Sequence, residues 1–247
     1  MTELMKGKRG LIMGVANDHS IAWGIAQHLA AQGAELAFTY QGEAFGRRVK
    51  PLADSVGSNI LLPCDVEDIA TVDNVFAELK KVWGKIDFLV HAIAFSDKNE
   101  LKGKYADTSR DNFTRTMVIS CFSFTEIARR AAALMPDGGA MVTLTYGGSV
   151  RVMPNYNVMG VAKAALEASV RYLAADYGPQ GIRVNAIAPG EIDTAILSPG
   201  TEKIVETIPL RRLGTTAEIA DIIYFLCSGQ ASYVTGSEIH INGGQHV

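Results

Sequence analysis

Arg9-Gly-Leu-Ile-Met-Gly14-Val-Ala-Asn-Asp-His-Ser20-Ile21-Ala-Trp-Gly-Ile-Ala-Gln-His-Leu-Ala-Ala-Gln-Gly33 reads as a strand, a loop and a helix. The apolar run Leu11–Met13 is short and ends at glycine, as a buried strand does. From Ser20 onward, apolar residues recur at helical spacing until Gly33 stops the pattern. The same alternation continues along the chain. Further strands are predicted at 35–40, 59–64, 86–92, 139–145, 182–187 and 237–242. Helices are predicted at 72–83, 111–135, 158–177 and 217–228. Strands alternating with helices form parallel β-α-β units with right-handed crossovers. The fold class is therefore α/β: a single-domain, Rossmann-type, doubly wound parallel sheet. Such sheets bind ligands beyond the carboxyl ends of their strands.

Composition narrows the function classes. The chain has 247 residues, 48 % hydrophobic and 20 % charged, with a net charge of -3. That balance gives no basic footprint for nucleic acid or an anionic membrane surface. No apolar run reaches the ~18 residues of a membrane span. Met1–Lys6 lacks an apolar signal core, and Cys64, Cys121 and Cys227 are sparse and odd in number, so a cytoplasmic protein is expected. No metal site is expected, because neither these cysteines nor the five histidines show ligand spacing. There is no internal repeat or linker, so residues 1–247 are expected to be one domain. Residues 189–209 form a long connection that reads as a lid.

The loop Gly14–Ile21 lies between the first strand and the first helix. Small residues and a helix N-terminus can hold a pyrophosphate there. The strict G-x-G-x-x-G fingerprint is absent, and taken alone the loop fits an ordinary β-α turn equally well. Asp65 follows the third strand, where a carboxylate would meet an adenine amino group or simply sit in an acidic loop. His91-Ala92-Ile93-Ala94-Phe95 is small and apolar enough for backbone to approach a cofactor. No Asp or Glu ends the second strand. Gln41 stands there instead and can accept from a ribose 2′-hydroxyl, which allows NAD. Arg47 and Arg48 fit a solvated helix face or a 2′-phosphate.

Tyr156 and Lys163 stand seven residues apart. On a helix that is about two turns, placing both side chains on one face ~10 Å apart. A tyrosine with a pKa near ~10 is a proton donor, and a nearby ammonium would draw that value towards neutral. Such a pair can polarise a carbonyl oxygen while hydride arrives elsewhere.

Together, Gly14-Val-Ala, Ser20-Ile21-Ala-Trp-Gly-Ile-Ala, Cys64-Asp65-Val66, Val90-His-Ala-Ile-Ala-Phe95 and Tyr146…Tyr156-x-x-Met159-x-x-x-Lys163 resemble bacterial enoyl-acyl-carrier-protein reductase. This is a divergent short-chain dehydrogenase/reductase branch. Ordinary members place lysine four residues after the tyrosine, where Gly160 stands here. They also carry a serine where this chain has Thr143. The resemblance implies that Tyr156 hydrogen-bonds the thioester carbonyl and its enolate, that Lys163 binds the nicotinamide ribose, and that Tyr146 lies near the substrate. It makes Gly14, Ser20, Ile21, Gln41, Asp65, Val66, Ala92 and Ile93 cofactor contacts. It also implies NADH as cofactor, an enoyl substrate on acyl carrier protein or coenzyme A, and a homotetramer.

After residue 188 the pattern changes. Pro189-Gly190 replaces the family's Ala-Gly-Pro. Pro209–Ala220 and Val234–Gly244 resemble ordinary short-chain reductases. The chain thus reads as an enoyl-reductase body with a different substrate loop and C-terminus, through a graft or in an unusual natural homologue. Ile192 and Thr194 match cofactor contacts in both branches. Besides enoyl reduction, a carbonyl or alcohol oxidoreductase and an NAD-binding protein without efficient turnover fit this mixture.

Overall fold

The computed structural model describes residues 4–194 and 201–247. Seven strands form one sheet: β1 (Arg9–Met13), β2 (Glu35–Tyr40), β3 (Ile60–Pro63), β4 (Phe88–His91), β5 (Gly139–Leu144), β6 (Ile182–Pro189) and β7 (Glu238–Ile241). Their order is β3-β2-β1-β4-β5-β6-β7, and every neighbouring pair is parallel. The order reverses between β1 and β4, which opens a crevice beyond their carboxyl ends.

Eight α-helices lie among the described residues: α1 (Ile21–Ala31), α2 (Gly42–Ser55), α3 (Ile69–Trp83), α4 (Arg110–Met117), α5 (Ser123–Ala132), α6 (Val158–Tyr177), α7 (Thr201–Val205) and α8 (Thr216–Cys227). Successive strand side chains alternate between faces, so Leu11 and Met13 enter one core and Ile12 the other. The first core packs under α3, α5 and α6; the second packs under α1, α2 and α8. None of these helices is long and apolar enough to cross a membrane.

Three departures from the sequence reading bear on the site. First, α2 has no bounds in that reading, which offers only a helix face for Arg47 and Arg48. It contains Pro51 and buries only Val49 and Ala53, so its apolar stripe is too thin to register. Second, the helical stretch at 111–135 is interrupted by a π-helical turn, Val118–Phe122, between α4 and α5. Third, Tyr156 and Lys163 do not share a helix. Asn155 and Asn157 adopt left-handed φ values of 57° and 38°, so Tyr156 lies in a turn and only Lys163 rides on α6. Asparagine tolerates that region better than most residues, and here it breaks the pattern before Val158.

Of the expected lid, 189–209, residues 195–200 lie outside the described residues. The flanks are anchored: Ile192 bridges Gly214, and Leu210 N–H donates to Gly243 O at 3.1 Å. Among the aromatic residues of the 111–135 stretch, Phe124 is core, whereas Phe113 and Phe122 are exposed.

Candidate active site

The cleft forms where β1 and β4 diverge. Ala92 N–H donates to Met13 O at 3.0 Å, which brings the two strand ends together. Gly14 then turns away with φ +101°, and a Cβ there would stand 2.0 Å from Ala92 O. Only glycine fits this close approach. The following loop is tied by Ser20 Oγ, which donates to Asn17 O at 2.7 Å. Ile21 and Ala22, at the N-terminus of α1, face the same cleft.

Two adjoining cavities occupy the crevice. One, of about 510 Å³, is lined by Ser20, Ile21, Tyr146, Tyr156, Lys163, Ile192 and Thr194. The other, of about 390 Å³, is lined by Gln41, Asp65 and Val66 beyond β2 and β3. They share Gly14, Ala92 and Ile93, so the structure brings all the sequence-predicted site residues to one continuous cleft.

At the β2–β3 end the polar groups are held in place. Gln41 Nε2 donates to Asp65 Oδ2 at 3.0 Å, and Glu67 N–H donates to Asp65 Oδ1 at 2.9 Å. The Gln41 carbonyl oxygen remains as an acceptor. Arg115, bonded to Glu67 through Nε and Nη2, lies with its guanidinium 4.5 Å from the Phe95 ring centre. Arg47 and Arg48 are exposed on α2.

The deeper end carries the titratable groups. Lys163 is buried, and its ammonium donates to Leu144 O at 2.7 Å. Burial lowers its pKa from 10.5 to about 8. The Tyr146 and Tyr156 rings meet edge to face, 5.0 Å apart at 61°. Tyr146 OH donates to Glu191 Oε1 at 2.9 Å. Both phenols are pushed above the ordinary tyrosine value, first by burial; Glu191 adds to the effect at Tyr146, and Tyr146 and Glu167 add to it at Tyr156. The expected pull towards neutrality is therefore not realised. Burial dominates, the neighbouring charges add to it, and Tyr156 stands as a neutral donor. His91, beneath this floor, is held between Thr143 and Ser123, and burial drives its pKa down to about 3.

Backbone contacts explain the unusual tyrosine–lysine spacing. A Cβ at Gly160 would stand 2.6 Å from Gly148 O, so no side chain is accommodated where ordinary short-chain enzymes carry lysine. A Cβ at Gly148 would in turn meet the Tyr156 ring at 2.5 Å. Thr143, at the position of their serine, is fully buried against His91 rather than facing the cleft.

Beyond Tyr156 a groove of about 1190 Å³ runs between Met159 and the loop after β4, including Phe95, Ser96 and Asp97. That loop is fastened from below. Phe95 N–H donates to Ser120 Oγ at 2.9 Å, and Ser120 Oγ donates to Phe95 O at 2.9 Å. Asp97 N–H donates to Asn112 Oδ1 at 3.0 Å. Ser120 belongs to the π-helical turn and also contacts Met159 Sδ at 3.7 Å. Met159 therefore both fills a gap beneath the loop and borders the groove.

A family model described as enoyl-(acyl carrier protein) reductase matches residues 14–246. The chain belongs to the enoyl-acyl-carrier-protein reductase family. The enoyl-acyl-carrier-protein reductase (NADH) 2 of Rhizobium meliloti is 66 % identical, over 100 % of this chain and 94 % of that relative. Among solved structures, FabI from Candidatus Liberibacter asiaticus superposes with a TM-score of 0.95 at 55 % identity, covering 99 % of this chain and 97 % of that one. The reductase from Anaplasma phagocytophilum, solved in complex with NAD, gives 0.93 at 51 % identity, covering 98 % and 93 %. These matches continue through the residues after 188, so the family spans body and C-terminal quarter alike, and that quarter requires no separate parent.

The sequence reading missed Glu191, Arg115 and the Ser120–Asn112 support. Glu191 lies two residues beyond the end of β6, where the rule that ligands bind past strand carboxyl ends also applies. The support beneath the loop carried no signal, because it depends on the π-helical turn. Among the described residues, no group of three His, Cys, Asp or Glu is arranged to hold a metal ion.

Proposed function

We propose that this chain reduces the trans-2 double bond of an enoyl thioester carried on acyl carrier protein, using NADH, in fatty-acid elongation. One observation carries the reading: Tyr156, Tyr146 and Lys163 converge on the cavity that also contains Ser20, Ile21, Ile192 and Thr194. The cleft suits a dinucleotide, because the backbone at Gly14 and Ala92 leaves no room for a side chain between them. Asp65, Val66 and Gln41 would hold the adenosine end, with the free Gln41 carbonyl accepting from an unphosphorylated ribose. Gly14, Ser20 and Ile21 would face the pyrophosphate. Ala92, Ile93, Lys163, Ile192 and Thr194 would hold the nicotinamide riboside.

When bound, NADH supplies the hydride. The chain's residues manage the charge that then appears on the thioester oxygen. Tyr156, kept neutral by burial, donates a hydrogen bond that strengthens as the enolate forms, and protonation of the enolate at its α-carbon completes the reduction. Lys163 anchors the ribose and adds positive potential. Tyr146 supports the Tyr156 ring edge-on. The carbonyl-reductase alternative is disfavoured by Thr143, which is buried away from the cleft, and by Gly160, which leaves no room for lysine.

The same reading makes the enzyme a cytoplasmic homotetramer, one domain across residues 1–247, with a substrate lid at 189–209. The free, buried Cys64, Cys121 and Cys227 support a reducing compartment. Exposed Phe113 and Phe122 support a subunit contact on their face. Light scattering tests the assembly. NADH oxidation with a crotonyl thioester tests the activity, and Tyr156→Phe should lower kcat roughly 10²-fold. Wild-type protein that binds NADH yet turns over no enoyl thioester would refute it.

A further inference from the structure

Glu191 takes the position that the family pattern gives to proline, immediately after Pro189-Gly190. Its backbone is fixed on both sides. Gly190 N–H donates to Ile241 O at 2.9 Å, and Gly214 N–H donates to Glu191 O at 3.0 Å. Asp193 N–H donates to Gly214 O at 2.9 Å, continuing the bridge between Ile192 and Gly214. A Cβ at Gly190 would stand 2.6 Å from that of Asn242, so this approach is close as well as hydrogen-bonded. The side chain therefore projects from a rigid base into the cavity that Tyr146, Tyr156 and Lys163 share. Among the described residues lining that cavity, it is the only carboxylate.

Its partner is Tyr146, whose hydroxyl donates to Oε1 at 2.9 Å, and the Tyr146 ring stands edge to face against Tyr156. Two phenols thus face one cavity, while a single oxyanion is expected to form in it. Either could donate to that oxyanion unless one is committed elsewhere. A carboxylate accepts only and is a stronger acceptor than a neutral carbonyl. It holds the Tyr146 proton away from the substrate and locks the ring against which Tyr156 rests.

We propose that Glu191 is a positioning residue of this site: by accepting from the Tyr146 hydroxyl it commits Tyr146 to orienting Tyr156 and leaves Tyr156 as the donor to the thioester oxygen. The proposal rests on the enoyl-reductase reading for its chemistry, but the coupling of the two rings can be tested without turnover.

In protein with tyrosine labelled by ¹³C at the ring ζ position, Tyr146→Phe and Tyr156→Phe identify the two signals. Glu191→Ala should move both, whereas Glu191→Gln, which still accepts through its amide oxygen, should leave Tyr156 close to its wild-type position. A Tyr156 signal unmoved in Glu191→Ala overturns the proposal whether or not the protein is active. In turnover of crotonyl thioester, Glu191→Ala should lower kcat about tenfold with NADH affinity unchanged, and Glu191→Gln should recover most of the loss. The double variant Tyr146→Phe/Glu191→Ala should be no slower than the slower single variant. Losses that multiply would show the two residues acting independently and would also overturn the proposal. Absence of turnover in wild type would refute the enoyl-reductase reading and leave the labelled-tyrosine result to decide the coupling.

Discussion

Replacing Lys163 with methionine should make the protein more stable at neutral pH. The ammonium is buried, and its pKa falls from 10.5 to about 8 on folding. A folded value below the unfolded one means that the unfolded chain binds more protons throughout that interval. Stability therefore rises with pH between about 8 and 10.5, and the full penalty is felt below pH 8. At about 1.4 kcal/mol per pH unit, the penalty is roughly 3 kcal/mol. Methionine of similar length removes it but leaves the Leu144 carbonyl, 2.7 Å from Nζ, without its donor. That loss costs about 1–3 kcal/mol. The expected net gain at pH 7 is about 1 kcal/mol, or a Tm increase of roughly 2–4 °C for a chain of this size. Above pH 10 the native lysine is neutral, so the same substitution should become destabilising. The assay is urea unfolding of wild type and Lys163→Met from pH 7 to 10.5. Their difference carries Lys163 together with its coupling to Cys121 and His91, while titrating groups that Lys163 does not touch cancel. A difference that stays flat across the interval, rather than changing sign, refutes the reasoning.

Two other substitutions test the supports of the site. Gly160→Ala should destabilise by about 1–2 kcal/mol despite alanine's better helix propensity, because its Cβ meets Gly148 O at 2.6 Å. Unchanged or higher stability in thermal unfolding would show that the 147–149 turn gives way. Ser120→Ala orphans the Phe95 N–H and C=O together and should cost about 2 kcal/mol in urea unfolding. It should also raise the KM for enoyl thioester several-fold while NADH titration stays unchanged. An unaltered KM would show that the loop after β4 does not border the substrate.

The sheet was legible because each strand is a short apolar run closed by glycine, proline or a polar residue, and the cofactor end followed from where those strands finish. Gln41 and Asp65 were picked out by position and by the resemblance. Their mutual hydrogen bond, which turns the glutamine carbonyl outward, depends on rotamers that no spacing rule supplies. The predicted helix at 158–177 matches α6, but the two-turn argument for Tyr156 and Lys163 failed, because Tyr156 precedes that helix in a turn with left-handed Asn155 and Asn157. The pKa expectation for Tyr156 failed for a different reason. It weighed a neighbouring charge but had no means of weighing burial, which is the larger effect there. Glu191 lay within a Pro-Gly motif that drew the reading towards branch membership and away from the carboxylate itself.

Because Tyr156 hangs from a turn while Lys163 is clamped within α6, the proposed proton donor and the proposed cofactor anchor have separate mountings. Changes confined to 153–157, or to the neighbouring 147–149 segment, re-aim the phenol while the amine keeps its grip on Leu144. A laboratory search for altered acyl preference should randomise the seven of those positions other than Tyr156 and leave α6 untouched, so that new substrates are admitted without retuning the nucleotide end.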